Sequence, residues 1–407
     1  MGEDAMDRKM PPDFPTEVYD IIVVGAGPAG LSFVRALAGC GLKIAIVEKL
    51  PRDVLADPPV DGRDIALTHR SEQTMGELGI WSHIPPEEIA VIRHARVING
   101  TSPYALHFDH REMGKDYLGP IMANHLIRRA AFRAFEAAGN GELIPDRTVV
   151  AAGSDERAAW VVLDDGRRLR ASLLVAADSR FSETRRQFGI PARMRDFGRS
   201  CIVCRMDHAQ DHDDTAFECF HYDRTLAVLP LAGRQSSVVI TLPSDRAAEV
   251  MAMGEDEFNR DITARFGQRL GAMGLSGGRH IYPLVAVYAD RFFARRFALV
   301  GDAAVGMHPV TAHGFNLGLR GAVTLAHQIR AARGRGGDIG AAPGLRRYHV
   351  AHNRAARPIY LGTNVLVGLY TDDRPAARVA RNGLLRLGNI FKPARRRIMR
   401  QLTDKAA

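Results

Sequence analysis

The spacing of apolar residues along the chain changes several times, and each change marks an element. Tyr19-Asp-Ile-Ile-Val-Val24 and Leu42-Lys-Ile-Ala-Ile-Val47 are short, β-branched runs that predict buried strands. Leu31 to Ala38, between them, predicts a helix. Strand, helix and strand at this spacing form a βαβ unit, which requires a parallel sheet with helices on its faces. A helix is predicted over 121–138, followed by strands around Trp160-Val-Val-Leu163 and Leu173-Leu-Val-Ala-Ala177. Phe297-Ala-Leu-Val300, behind the basic cluster from Arg291 to Arg296, reads as another buried strand, and a helix follows it from Leu317 to Ile329.

Between about Phe188 and Pro283 the texture shifts to short alternating segments such as Thr215-Ala-Phe-Glu-Cys-Phe-His-Tyr222, Leu226-Ala-Val-Leu229 and Ser237-Val-Val-Ile-Thr241. Ala90 to Phe108 has the same look. Alternation of this kind predicts antiparallel strands with one covered face. The expected fold class is α/β: a Rossmann-like domain with a parallel sheet, an inserted and mostly antiparallel β domain, and a C-terminal helical tail. In numbers, 1–18 is a flexible N-terminus, and 19–89, 111–187 and 284–345 make one discontinuous domain. Segments 90–110 and 188–283 make the inserted domain, and 346–407 is a basic helical region.

Composition narrows the class. The chain has 407 residues, 46% hydrophobic and 25% charged, which is ample material for the core of a globular protein. No apolar run approaches the roughly 20 residues of a membrane-spanning helix. The opening MGEDAMDRKMPPDFPTE lacks the apolar core of a signal peptide, and Met6 stands where a myristoylation motif wants Ser or Thr. A cytoplasmic protein is expected.

The net charge of +9 is concentrated late. Nine Lys or Arg and no acid lie from Arg374 to Arg400, among Leu384, Leu385, Leu387, Ile390 and Phe391. A basic segment with an apolar stripe fits an anionic membrane surface, here the inner membrane, or an acidic partner. It equally fits a solvated helix packed on its own domain, and hydrophobic patterning alone does not separate the two. The chain carries no zinc finger or other nucleic-acid signature, so nucleic acid is not expected as a partner.

Four cysteines do not make a disulfide network. Cys201 and Cys204 lie in the alternating stretch Ser200 to Met206, where a strand sends positions 201 and 204 to opposite faces. They read as apolar strand residues and not as a metal or redox pair. Asp207-His208 with Asp211-His212-Asp213-Asp214 reads as a hydrated turn between β segments, and no metal site is expected.

Three segments carry chemistry. Gly25-Ala-Gly27-Pro-Ala-Gly30 sits between the first strand and the first helix. Such glycines permit a tight turn, approach of backbone to a pyrophosphate, and close helix–strand packing, with the helix N-terminus facing the anion. Glu48 closes the second strand about 20 residues on, where an acid accepts the hydroxyls of an adenosine ribose. Leu173-Leu-Val-Ala-Ala-Asp178-Ser-Arg-Phe-Ser182-Glu-Thr-Arg185 again puts an acid at a strand's end, with Ser182 placed as a helix cap. The third is GDAAVGMHPVTAHGFNLGLRG, residues 301–321.

With these motifs in this order the chain resembles the group A FAD-dependent aromatic monooxygenases, and most the ubiquinone-biosynthesis hydroxylases, in the branch that acts on demethoxyubiquinol. The resemblance covers Ile21 to about Pro358. In that family the last motif usually reads GDAAH, then Pro, then G-Q-G-x-N-x-G. Here Val305 replaces the histidine, Ala312-His313 replaces Gly-Gln, Gly321 replaces a frequent aspartate, and Ser179 stands where glycine is usual.

The resemblance implies FAD as cofactor and NAD(P)H as co-substrate. It places Gly25, Gly27, Gly30, Glu48, Arg63, Asn124, Asp178 and Asp302 on the cofactor, Asp302 at the ribityl chain. The helix near Gly314 would aim the amides of Phe315 and Asn316 at the edge that gains negative charge on reduction, a helix N-terminus being worth up to ~2 kcal/mol there. Pro309 would lie over the flavin face. His308 and His313 sit close by motif, where either can serve as base or merely shape the loop. The reaction implied is ring hydroxylation of a polyprenylated phenol or quinol by a C4a-hydroperoxyflavin in a water-excluding site. Other quinone-biosynthesis proteins would be partners. A flavin hydroxylase of a soluble aromatic or polyketide, a flavin-dependent prenyl reductase and a non-catalytic scaffold are the competing readings.

Overall fold

A computed structural model describes residues 16–99, 105–221, 224–307 and 313–371. Its first sheet runs in the order Phe293–Ala294, Phe297–Leu299, Arg168–Ala176, Thr16–Val24, Ile44–Val47, Glu142–Ile144. The last five of these are parallel to one another. Val149–Ser154 and Ala159–Leu163 extend it antiparallel from Arg168–Ala176. Ile21, Ile22, Val23 and Ile44 to Val47 are buried on both faces, which is why these strands read as unbroken apolar runs. The helix Pro28–Ala36 packs between Asn124–Ala138 and His313–Arg333.

The second sheet has eight strands in the order Val305–Gly306, Met273–Ala289, Ala192–His208, Gln235–Pro243, Thr225–Pro230, Thr215–Phe220, His94–Asn99, Ala105–Asp109. One face, with Ile202, Cys204, Phe217, Leu226 and Val238, is covered by the helices Ser244–Ala252 and Glu255–Arg265 through Val250, Phe258 and Ile262. Cys201 and Val203 belong to a different cluster on the other face. The two cysteines therefore point apart, as alternation predicts. Burial pushes their thiols up to about 11 and about 12, so neither is the thiolate that metal or redox chemistry needs.

A third sheet joins the halves. Asp64–Ala66 and Ala90–Ile92 both pair antiparallel with Gly119–Ala123. Two expectations are corrected here. Residues 121–123 are strand, and the helix begins only at Asn124. An apolar run of three residues does not reveal its period, and pairing with two neighbours decides it. Ala90–Ile92 likewise belongs to this small sheet and not to the eight-stranded one.

Asp207 to Asp214 forms the expected turn between strands, with Asp207, Asp211 and Asp213 exposed, but its histidines are not solvated. His208 and His212 are buried, with the ring nitrogens of His208 on the Gln210 carbonyl and Ser236 Oγ and His212 Nε2 on the Leu231 carbonyl. The histidines staple the loop from inside. No metal-holding group of His, Cys, Asp and Glu occurs among the described residues.

The final described element is the helix Ala342–Thr371. No helix among the described residues is long and apolar enough to cross a membrane. The basic segment 374–400 lies outside the described residues.

Candidate active site

Register brings the motifs together. Val24 pairs with both Val47 and Ala176, and Ala176 pairs with Leu299. Four parallel strands thus end in one row, and the next residues are Gly25, Glu48, Ala177 and Val300. The glycine loop, Glu48, Asp178 and Asp302 all emerge from the carboxyl edge of adjacent strands. The chain leaves Thr16–Val24 toward Ile44–Val47 on one side and returns as Arg168–Ala176 on the other, so a crevice opens at this edge.

The three loop glycines have different jobs. Gly25 has φ +106°, and a Cβ there would lie 2.5 Å from the Ala177 carbonyl oxygen. A Cβ on Gly30 would lie 2.1 Å from the Gly25 carbonyl oxygen. Both are demanded by the protein's own packing. A Cβ on Gly27 meets nothing within 4 Å, nor does one on Gly314. Among the described residues there is open space at the N-terminal ends of two helices. Gly27 caps Pro28–Ala36 without any side-chain bond, leaving first-turn amides to face that space.

Glu48 is buried, and its two oxygens accept from the amides of Ala26, at 2.6 Å, and Leu50, at 3.0 Å. It therefore shapes the glycine loop besides offering its remaining lone pairs. Asp178 Oδ2 accepts from the amide and hydroxyl of Thr184, while Oδ1 is buried without a partner. Ser182 caps its helix through the Arg185 amide, at 2.9 Å. An orphaned carboxylate oxygen beside a glycine-lined helix start suits a hydroxylated, anionic cofactor. These residues fit FAD.

Asp302 Oδ2 accepts from Arg180 Nη2 at 3.1 Å, and Arg185 Nη1 donates to the Ala303 carbonyl at 2.9 Å. Arg185 is buried, and that burial lowers its pKa against the opposing pull of Asp178. Sequence reasoning passed over both arginines, because each makes its contact across more than 100 residues of chain. Their place inside the Asp178 motif was the only available signal.

Arg63 and Asn124 converge on a third residue, Asp61, which receives Arg63 Nε at 3.1 Å and Asn124 Nδ2 at 2.7 Å. Burial works against ionisation of Asp61, but these bonds outweigh it and hold its carboxyl below the usual range. Tyr282 donates to the Asp61 carbonyl and lies under the Arg63 guanidinium, so the second sheet reaches this cluster. Asn316 accepts from the Thr68 amide and donates to the Ala66 carbonyl, both at 3.0 Å. Its side chain ties the start of His313–Arg333 to the small sheet, while Phe315 packs against the main core.

His313 is buried at the first residue of that helix. His308 and Pro309 lie outside the described residues. Two departures from the family pattern find reasons. A Cβ on Gly321 would lie 2.9 Å from the ring of His352, which Ala342–Thr371 presses against it, so an aspartate there would require the imidazole to shift. Ser179 adopts φ +92°, the glycine-favouring region, and keeps its side chain at the cost of strain.

The profile of a family described as an FAD binding domain matches residues 18–356. Ubiquinone hydroxylase UbiM of Neisseria meningitidis is 47% identical over 388 residues, 94% of this chain and 84% of that protein. Ubiquinone hydroxylase UbiL of Rhodospirillum rubrum is 32% identical over 370 residues, 90% and 86% of the two chains. Among solved structures, p-nitrophenol 4-monooxygenase PnpA from Pseudomonas putida superposes with a TM-score of 0.77 at 18% identity, covering 96% of this chain and 100% of that one. The last likeness is one of fold.

Proposed function

Since this chain belongs to the FAD-binding-domain family of flavin-dependent monooxygenases, we propose that it hydroxylates the aromatic ring of a polyprenylated phenol or quinol in ubiquinone biosynthesis. Demethoxyubiquinol is the substrate we assign. The observation that carries the reading is the level row of strand ends, Val24, Val47, Ala176 and Leu299, from which the glycine loop, Glu48, Asp178 and Asp302 depart. The names of the two ubiquinone hydroxylases support the substrate class.

In this reading the Gly27 space and the amides of Pro28–Ala36 receive the pyrophosphate, and Glu48 faces the adenosine ribose. Asp178, Asp302 and the Arg63–Asp61–Asn124 cluster hold the remainder, and the start of His313–Arg333 meets the pyrimidine edge with the amides of Phe315 and Asn316. When bound, FAD supplies electron transfer from NAD(P)H to dioxygen and delivery of one oxygen atom to the ring. The protein's own work is to exclude water, hold the ring and manage its proton. We assign that work to His308, Pro309 and His313 on the strength of their motif. The eight-stranded sheet bears the substrate, and the basic segment 374–400 keeps the chain at the bilayer where a prenyl tail resides, beside other quinone-biosynthesis proteins.

The test is deletion in a ubiquinone-producing host followed by mass spectrometry of the quinone pool. A precursor lacking one oxygen and one methyl at a defined ring carbon is expected. Unchanged ubiquinone without a precursor would overturn the assignment.

A further inference from the structure

The eight-stranded sheet has one face under helices and one toward the FAD-binding half. Ala216, Leu229 and Ala95 on the second face pack with Ala90, Ile92 and Ile121 of the small sheet, and Arg205 on the same face bonds Asp64 there. The strand register draws a row across that face: Val203, Val239, Ala227, Glu218, Val97, Leu106. Five members are aliphatic. The sixth is a carboxylic acid in the middle of a central strand.

Glu218 makes no hydrogen bond or ion pair among the described residues. Its neighbours along and across the strands are Ala216, Phe220, Ala227 and Val97. Three of those four are small, so the acid stands above a low apolar floor. Its side chain keeps part of its surface open, although burial alone pushes its pKa up to about 8. An unpaired carboxyl set among aliphatic side chains is costly to keep ionised, which asks for a ligand.

Other charges do not reach it. Arg205, in the neighbouring row, is committed to Asp64 at 2.7 Å. Arg96 lies over the Phe217 ring on the opposite face, where His94 and His107 also stack and Asp109 pairs with Arg111. His280, across from Val203 and beyond the far end of the row, is four strands away from Glu218. From the small sheet the facing charge is Asp64, with its side chain fully buried.

We propose that Glu218 is a catalytic residue that binds the ring hydroxyl of the phenolic substrate and accepts its proton, while the aliphatic row beside it carries the prenyl chain. This rests on the hydroxylase reading above. The step breaks the phenol O–H bond and forms an O–H bond on Glu218 Oε. The electron pair stays on the phenolic oxygen and enriches the ring for attack on the electrophilic oxygen, and the proton returns when the product phenol leaves.

The holoenzyme is assayed from pH 6 to 9.5 with a short-chain prenylphenol, alongside Glu218→Gln and Glu218→Asp. Wild-type kcat is expected to rise to a plateau through about pH 8. Glu218→Gln should lower plateau kcat by roughly 100-fold and abolish the rise, with KM changed by less than about 3-fold and bound flavin unchanged. Glu218→Asp should keep the rise at a roughly 10-fold lower rate, and it serves as the reading if the glutamine protein does not fold. Wild-type rate and pH profile in either variant would overturn the role. A wild-type enzyme that binds FAD but hydroxylates no prenylphenol would overturn the hydroxylase reading itself, and with it this one.

Discussion

Arg180 reaches Asp302 across 122 residues of sequence, Nη2 to Oδ2 at 3.1 Å, while its Nη1 donates to the Val285 carbonyl in the second sheet. One guanidinium thus fastens the Asp178 motif to the Gly-Asp motif and both to the long strand Met273–Ala289. The carboxylate is held in place but only half used, with its side chain still 34% exposed.

That arrangement makes Asp302 the residue whose loss should be felt in cofactor content. Asp302→Ala is expected to fold and to bind FAD roughly 10- to 100-fold more weakly, the range of one lost hydrogen bond to a charged group. Flavin absorbance per protein after gel filtration, with titration of the apoprotein, measures it. Full retention of pigment would contradict the assignment of Asp302.

The loop glycines should separate by readout. Gly27→Ala adds a methyl into open space, so its thermal midpoint should stay near wild type while FAD affinity falls by at least about 10-fold. Gly30→Ala drives a methyl onto the Gly25 carbonyl and should be poorly folded with or without FAD, a loss above roughly 2 kcal/mol. Equal behaviour of the two variants would remove the distinction between a packing glycine and a ligand glycine.

Ser179, at φ +92°, stores strain that glycine would release. Ser179→Gly should gain about 1 kcal/mol, part of the relief being offset by the freer unfolded chain. Thermal unfolding of the apoprotein shows it as a rise of roughly 1–2 °C; a fall would mean that the Ser179 hydroxyl contributes something its backbone does not.

Two buried groups give stability opposite pH dependences. His352 is held neutral by burial, its pKa lowered from 6.5 to about 3. Its folded form binds protons less well than its unfolded form, so its contribution is present above about 6.5 and lost as pH falls toward about 3. Glu218 is raised from 4.5 to about 8, so its contribution is present below about 4.5 and lost as pH rises through about 8. Unfolding midpoints followed across pH should flatten between about pH 3 and 6.5 in His352→Phe and between about pH 4.5 and 8 in Glu218→Gln.

Much of the cofactor side was legible because its signals are local. A β-branched run followed by glycines or an acid is contained in ten residues, and the strand ends at Val24, Val47, Ala176 and Leu299 were placed within a residue or two. What was not legible is long-range. Arg180, Arg185 and Asp61 look like ordinary charged loop residues until register brings partners from 60 to 120 positions away. His208 and His212 read as solvated because their neighbours in sequence are acids, whereas the contacts that bury them come from Ser236 and Leu231. Glu218 drew no notice inside an alternating strand, since the pattern shows only that it shares a face with Ala216 and not what that face confronts.

The ring of His352 against Gly321 also constrains the substitutions open to this chain. An aspartate at 321 requires the imidazole to shift, and shrinking position 352 alone would leave a void in the core beneath the last helix. A side chain at 321 and the imidazole at 352 therefore compete for one volume, and a larger residue at the first is accommodated only together with a change at the second.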